Sequence, residues 1–81
     1  MSICLHVRLF ASYREAAGTN RLDVQLPRGA TVAELLDAVA RDVPSVKRAP
    51  GMVAVNQEYV SHEAVLSEGD EVALIPPVSG G

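Results

Sequence analysis

The sequence predicts an α+β roll, a mixed sheet of about five strands packed on one main helix. Three observations carry that prediction. Apolar residues alternate with polar ones near both ends of the chain, the period of half-buried strands. Only one long stretch, after Thr31, repeats its apolar residues at spacings of three and four, the period of a helix. One helix covers one face of a sheet, so the layers are sheet on helix rather than a two-sided sandwich.

The first strand spans residues 3–10, where Ile3, Leu5, Val7 and Leu9 share one face, and Cys4, His6, Arg8 and Phe10 share the other. Phe10 is the apolar exception at the outward parity. Ser12 to Glu15 reads S-x-x-E, the pattern of a capping box, and Gly18 closes the short helical turn as a left-handed residue. Alternation resumes over 20–26, with Leu22, Val24 and Leu26 inward, and Pro27-Arg28-Gly29 ends that strand. Thr31-Val32-Ala33-Glu34 is a second capping box and opens the main helix.

Val32, Leu35, Leu36, Val39 and Val43 form the apolar stripe of that helix, with Glu34, Asp37, Arg41 and Asp42 opposite. Burying those five contributes roughly 1.5–3 kcal/mol each before conformational entropy is subtracted. Pro44 disfavours helix at Val43 and sets the expected stop there. Residues 44–51 read as a loop carrying Lys47-Arg48. Met52 to Val55 reads as a short central strand, Asn56-Gln57 as a turn, and Tyr59-Val60 as a return strand. Residues 63–66 are expected to form one 3₁₀ turn. Ser67-Glu68-Gly69-Asp70 is a turn with Gly69 at positive φ. Glu71 to Ile75 is the last strand, Val72 and Leu74 inward, Ala73 and Ile75 outward. Placing it beside the first strand would launch the final six residues from the middle of the sheet. The expected organisation is a domain over 1–75 and an extended tail over 76–81.

Composition narrows the functions. At 81 residues the chain is one domain, with 48% hydrophobic residues but only 4% aromatics and no Trp, so aliphatic side chains do the packing. The formal net charge of −3 argues against binding nucleic acid or an anionic membrane, both of which call for a basic patch. Cys4 is the single cysteine, which rules out an internal disulfide and fits a reducing cytoplasm. The opening MSICLHVRLF is too short and too polar for a signal peptide or a membrane span.

The last residues are Pro76, Pro77, Val78, Ser79, Gly80 and Gly81. A terminal Gly-Gly arises by chance in roughly 0.5% of chains at average glycine usage. The prolines stop the strand and hold the chain near polyproline II geometry. Six extended residues reach about 20 Å, far enough to deliver the end deep into another protein. A carboxylate is a poor electrophile. Activated as a mixed anhydride with AMP it gains a leaving group, and a sulfur nucleophile can then attack. Glycine has no Cβ to block a narrow channel or hinder that attack. A frayed terminus has the same composition, and the residues alone leave both readings open.

The pieces FASYREAAGT (10–19), VNQEYV (55–60), LSEGDEVALIPP (66–77) and the terminal VSGG stand in an order and spacing that resembles the β-grasp, ubiquitin-like sulfur carriers, and more narrowly the small-subunit family of molybdopterin synthase. The resemblance covers essentially the whole chain. The Pro-Pro before the glycines separates it from thiamin-pathway carriers. It implies that an E1-like adenylyltransferase adenylates Gly81 with ATP. Sulfur from a rhodanese or cysteine desulfurase then makes a thiocarboxylate there. It also implies that the tail enters the large subunit of molybdopterin synthase, in a heterotetramer, and gives sulfur to cyclic pyranopterin monophosphate. No cofactor is expected on the carrier, and ATP binds the partner. Sulfur carriage for thiamin or tRNA thiolation, a ubiquitin-like protein modifier, and a plain interaction domain with an idle tail remain alternatives.

Phe10 and Ile75, at outward parity on strands that can be neighbours, are the candidate partner interface; single exposed apolar residues are also common. His6 and His62 lack a catalytic constellation and read as surface. Cys4 reads as a packed or edge-facing thiol rather than a sulfur relay. Glu68, Asp70 and Glu71 read as solvated charge, with no metal site expected. Arg8, Lys47 and Arg48 are candidates to meet acidic groups of the adenylating partner.

Overall fold

A computed structural model describes residues 1–77. In chain order its elements are β1 (Ser2–Leu9), α1 (Ala11–Ala17), β2 (Arg21–Pro27), α2 (Val32–Ala40), α3 (Ser45–Arg48), β3 (Met52–Val55), β4 (Glu58–Tyr59) and β5 (Glu71–Ile75). The five strands make one sheet in the order β2-β1-β5-β3-β4. β1 and β2 form an antiparallel hairpin pair from Ser2↔Pro27 to Arg8↔Arg21. β5 runs parallel to β1 and antiparallel to β3. The expected α+β roll is therefore present, and it is a β-grasp, ubiquitin-like fold. The last strand lies beside the first. β5 is the middle strand of the five, and β3, expected to be central, is interior but one place off the middle, between β5 and the short edge strand β4.

The core lies between the sheet and α2. Leu5, Val7, Leu9, Val72 and Leu74 from the sheet meet Val32, Leu35 and Val39 of α2, with Val43 and Val46 closing one end; all are buried. The inward residues of β2 are only half-buried, because β2 is an edge strand. The Thr31 capping box forms as expected. The Thr31 hydroxyl accepts the Glu34 N–H at 3.4 Å, and Glu34 Oε1 accepts the Thr31 N–H at 3.2 Å. The next two N–H groups donate to the Ala64 and His62 carbonyls, each at 3.0 Å, so the helix start is satisfied in the interior.

Several local expectations are corrected. The Ser12–Glu15 capping box does not form. α1 starts at Ala11, and Phe10 occupies the cap with no side-chain bond. Burial of Tyr13 sets the phase of that turn, and packing overrides the local signal. Gly18 does end α1 with φ +75°, donating to the Arg14 carbonyl. α2 ends at Ala40, three residues before the expected stop, because Arg41 and Asp42 tighten into i→i−3 bonds. The expected loop after Pro44 contains the one-turn helix α3, which buries Val46. Residues 63–66 do not form a 3₁₀ turn. A turn at His62-Glu63 is closed by the Ala64 N–H on the Ser61 carbonyl, and after it Val65 bridges Thr31 while the Leu66 N–H donates to the Ala30 carbonyl. β4 is Glu58–Tyr59 rather than Tyr59-Val60. The Asn56-Gln57 turn is real, with φ +50° and +72°.

Candidate functional site

The helices cover one face of the sheet, and the other face is open. Register places its residues in rows. Nearest the tail, Met52 pairs with Ile75, and Phe10 follows Leu9, whose partner is Leu74, so Phe10 stands beside Ile75. Phe10 keeps an extended backbone, and the Arg8 guanidinium lies 5.7 Å from its ring centroid, on the same face. The second row runs Arg21, Arg8, Ala73, Ala54, Tyr59. The third runs Asp23, His6, Glu71.

Phe10, Met52 and Tyr59 are exposed at 38%, 53% and 66%, and Ile75 is half-buried. Of the two expected interface residues, Ile75 thus lies on β5 and Phe10 directly follows the neighbouring strand β1. Met52 and Tyr59, which sequence patterning did not single out, extend the same apolar surface. Outward parity on a short strand was the available signal for Met52; the hairpin register was needed for Tyr59.

The rows farther from the tail are charged. Arg8 Nη1 lies 3.4 Å from Glu71 Oε1. His6 Nδ1 lies 2.9 Å from Asp23 Oδ1 and 3.1 Å from Arg21 Nη2, and it can serve one of these as donor or the other as acceptor. Hydrogen bonding from His6, helped by the nearby Arg21 charge, holds the Asp23 carboxyl below the usual carboxylate value. His62 is exposed, with its carbonyl accepting the Ala33 N–H at the start of α2. Cys4 is half-buried and free.

The acidic turn is used internally. Glu68 accepts the Cys4 N–H at 3.0 Å, and Asp70 accepts the Ser67 N–H at 2.8 Å and the Asn56 amide at 2.9 Å. Among the described residues, no three His, Cys, Asp or Glu side chains gather as for a metal ion. The three basic candidates are not brought together. Arg8 is on the open face, while Lys47 pairs with Asp37 in the helical layer, beside Arg48 on α3.

Pro76 and Pro77 leave the end of β5, Pro76 half-buried and Pro77 exposed. Val78, Ser79, Gly80 and Gly81, where the expected chemistry resides, lie outside the described residues. The tail therefore starts from the central strand, at the apolar end of the open face. No helix of the described residues is long and apolar enough to cross a membrane.

Comparison with known proteins gives the geometry a family. The chain is 38% identical to the molybdopterin synthase sulfur carrier subunit of Arabidopsis thaliana, over 99% of this chain and 85% of that one. Its fold matches a putative molybdopterin converting factor subunit 1 from Pyrococcus furiosus with a TM-score of 0.84 and 31% identity, over 94% and 99% of the two chains. It matches the small archaeal modifier protein 1 of Haloferax volcanii with a TM-score of 0.83 and 31% identity, over 94% and 99%. Residues 7–81 match the ThiS family, and the chain belongs to that family of β-grasp carriers.

Proposed function

We propose that this chain is the sulfur carrier of molybdenum cofactor biosynthesis, with its Gly81 carboxyl group as the reacting centre. The observation that carries the reading is the near full-length match to relatives that bear this role in their names, beside a family match that runs through the terminal glycines. The architecture supports it. A central strand rooted on both sides is a firm base for a tail that must enter another protein.

The chemistry balances in four steps. A Gly81 carboxylate oxygen attacks the α-phosphate of ATP on an E1-like adenylyltransferase and releases pyrophosphate. The terminal sulfur of a persulfide, from a rhodanese or cysteine desulfurase, adds to the carbonyl and expels AMP. A thiolate then attacks the donor's sulfur in the remaining S–S bond, forms a disulfide with it and releases the thiocarboxylate. Within the large subunit of molybdopterin synthase, that sulfur attacks a side-chain carbon of cyclic pyranopterin monophosphate and displaces an oxygen, and water hydrolyses the resulting thioester, which leaves the sulfur on the pterin and returns the Gly81 carboxylate. Pro76 to Gly80 form the leash. The carrier contributes no catalytic side chain, and the reading places it in the cytoplasm.

In this reading Phe10 and Ile75 dock on the large subunit, and Met52 and Tyr59 widen the contact. Phe10→Asp and Ile75→Asp should each weaken large-subunit binding measured by calorimetry, with the fold intact by circular dichroism. Unchanged affinity for both removes the patch from the account. For the function itself, thiocarboxylated protein is mixed with large subunit and cyclic pyranopterin monophosphate. Molybdopterin should form, and removing Gly81 should abolish it. Absence of product with the loaded wild-type chain favours carriage for thiamin or tRNA thiolation.

The likeness to a small archaeal modifier protein supports a second reading, a ubiquitin-like modifier that links the same activated Gly81 to lysines. Intact-protein mass spectrometry after expression separates the two. Sulfur in place of one oxygen marks a carrier, whereas amide-linked adducts mark a modifier.

A further inference from the structure

The residue before β3 faces the root of the tail with no room for a side chain. A Cβ built on Gly51 would lie 1.8 Å from the Ile75 carbonyl oxygen and 2.8 Å from the carbonyl carbons of Ile75 and Pro76. These are backbone atoms of the chain just where β5 becomes the tail, and they cannot swing aside as a flexible side chain would. Relieving the clash to the 3.0 Å floor of real contacts moves that carbonyl by about 1.2 Å, the difference between the two distances. Gly18, Gly29 and Gly69 have open space around the same built atom. Their glycine serves positive φ; that of Gly51 serves close approach.

The Gly51 segment is held from behind. Tyr13 of α1 is buried, and its hydroxyl donates to the Ala49 carbonyl. That bond holds the Ala49 end of the short loop that leads through Pro50 to Gly51. Tyr13 lies three residues after Phe10, whose carbonyl accepts the Tyr13 N–H at 3.1 Å. The same short helix therefore ties the apolar patch to the loop that presses on the tail root.

We propose that Gly51 and Tyr13 are positioning residues, which together fix where and in which direction the tail leaves the sheet. The proposal rests on the sulfur-carrier reading and adds to it the element that aims the tail. Pro76 and Pro77 make the consequence large. A stiff dipeptide at the root passes an angular error on to the residues beyond it rather than absorbing it. A misplacement of about 1 Å at a reacting centre costs on the order of 10²-fold in rate.

The test uses full-length protein carrying the Gly81 thiocarboxylate, with the large subunit and cyclic pyranopterin monophosphate. Gly51→Ala should lower kcat about 10²-fold, a larger factor than any change in its affinity for the large subunit. Tyr13→Phe keeps the ring but frees the loop, and should lower kcat by less, at unchanged affinity. One glycine inserted after Pro77 should restore part of the rate to Gly51→Ala and none to the wild type, a response that mere loss of stability does not give. Wild-type kcat in Gly51→Ala, or a loss that the inserted glycine leaves unchanged, overturns the proposal.

Should Gly51→Ala fail to fold, Tyr13→Phe decides, and wild-type kcat in it overturns the latch. A wild-type chain that transfers no sulfur refutes the carrier reading instead. Aim is then read without turnover, from Cα–Hα residual dipolar couplings of Ile75 and Pro76. Gly51→Ala should change them relative to the rest of β5, and identical couplings overturn the proposal.

Discussion

Truncating Leu74 to Ala tests whether β5 is the strand on which the domain depends. Leu74 is 1% exposed and pairs with Leu9 on one side and Val53 on the other. Neighbours held in ladders on both sides cannot collapse into the gap, so the loss should sit in the upper half of the range for Leu→Ala, about 3–5 kcal/mol. A chain of this length has a total stability of only about 4–12 kcal/mol, so the variant is near its limit. The control is the same substitution at Leu22, which is half-buried on edge strand β2 opposite Val7. Its cost should be about 1–1.5 kcal/mol, from roughly half the burial.

Thermal melting followed by circular dichroism reads both. At about 4–8 °C per kcal/mol for a domain of this size, Leu74→Ala melts at least about 12 °C lower and Leu22→Ala about 4–12 °C lower. The ordering is the discriminating quantity, because the removed atoms are identical. A Leu22→Ala cost equal to or above that of Leu74→Ala would refute the placement of β5 at the centre, and with it the firm root for the tail.

Other outcomes rest on single features. Gln57 is exposed at φ +72° in a two-residue hairpin turn, so Gln57→Gly should raise stability by up to about 1 kcal/mol in urea denaturation, the gain from removing a strained Cβ less the added chain entropy. Thr31→Ala should cost about 1 kcal/mol, since its hydroxyl caps α2, whereas Ser12→Ala should cost almost nothing because the capping box at α1 does not form. Asp23 should titrate below the usual value by carbon-detected NMR and move back up in His6→Ala. The sign is that of a depressed carboxyl. Its small stabilisation is present above the unfolded value near 3.9 and fades as pH falls through the folded one.

Much of the fold was legible because periodicity and burial agree here. The alternation of β1 and β5, the stripe of α2 and its Thr31 cap each state one structure, and each is found. The failures share a cause. At Ser12 and at Pro44 a local signal competed with a buried side chain, Tyr13 in one case and Val46 in the other, and the buried side chain won. β3 looked central because Met52-Val53-Ala54-Val55 is apolar on both faces. Its outward residues are apolar because they join the open patch, not because a second layer covers them. The candidate interface was legible only as two outward-facing apolar residues, Phe10 and Ile75. Gly51 was not legible at all: its glycine is required by Ile75, twenty-four positions away in sequence, and only pairing of β3 with β5 brings the two together.

The open face is graded along the strands, and the gradient bears on how a partner would sit. The row at the tail end, Phe10, Ile75 and Met52, is apolar, and the next mixes Ala73, Ala54 and Tyr59 with Arg8 and Arg21. The row beyond holds His6, Asp23 and Glu71, with Asp23 and His6 paired and Glu71 bound to Arg8. Desolvating those pairs costs free energy that exposed ion pairs return poorly, while covering the apolar row gains about 25 cal/mol per Å². A partner therefore gains most by seating over the tail end and leaving the charged rows at its rim. Under the proposed function, contact and tail exit would then coincide: a partner seated over Phe10 would also lie beside the Pro76 root.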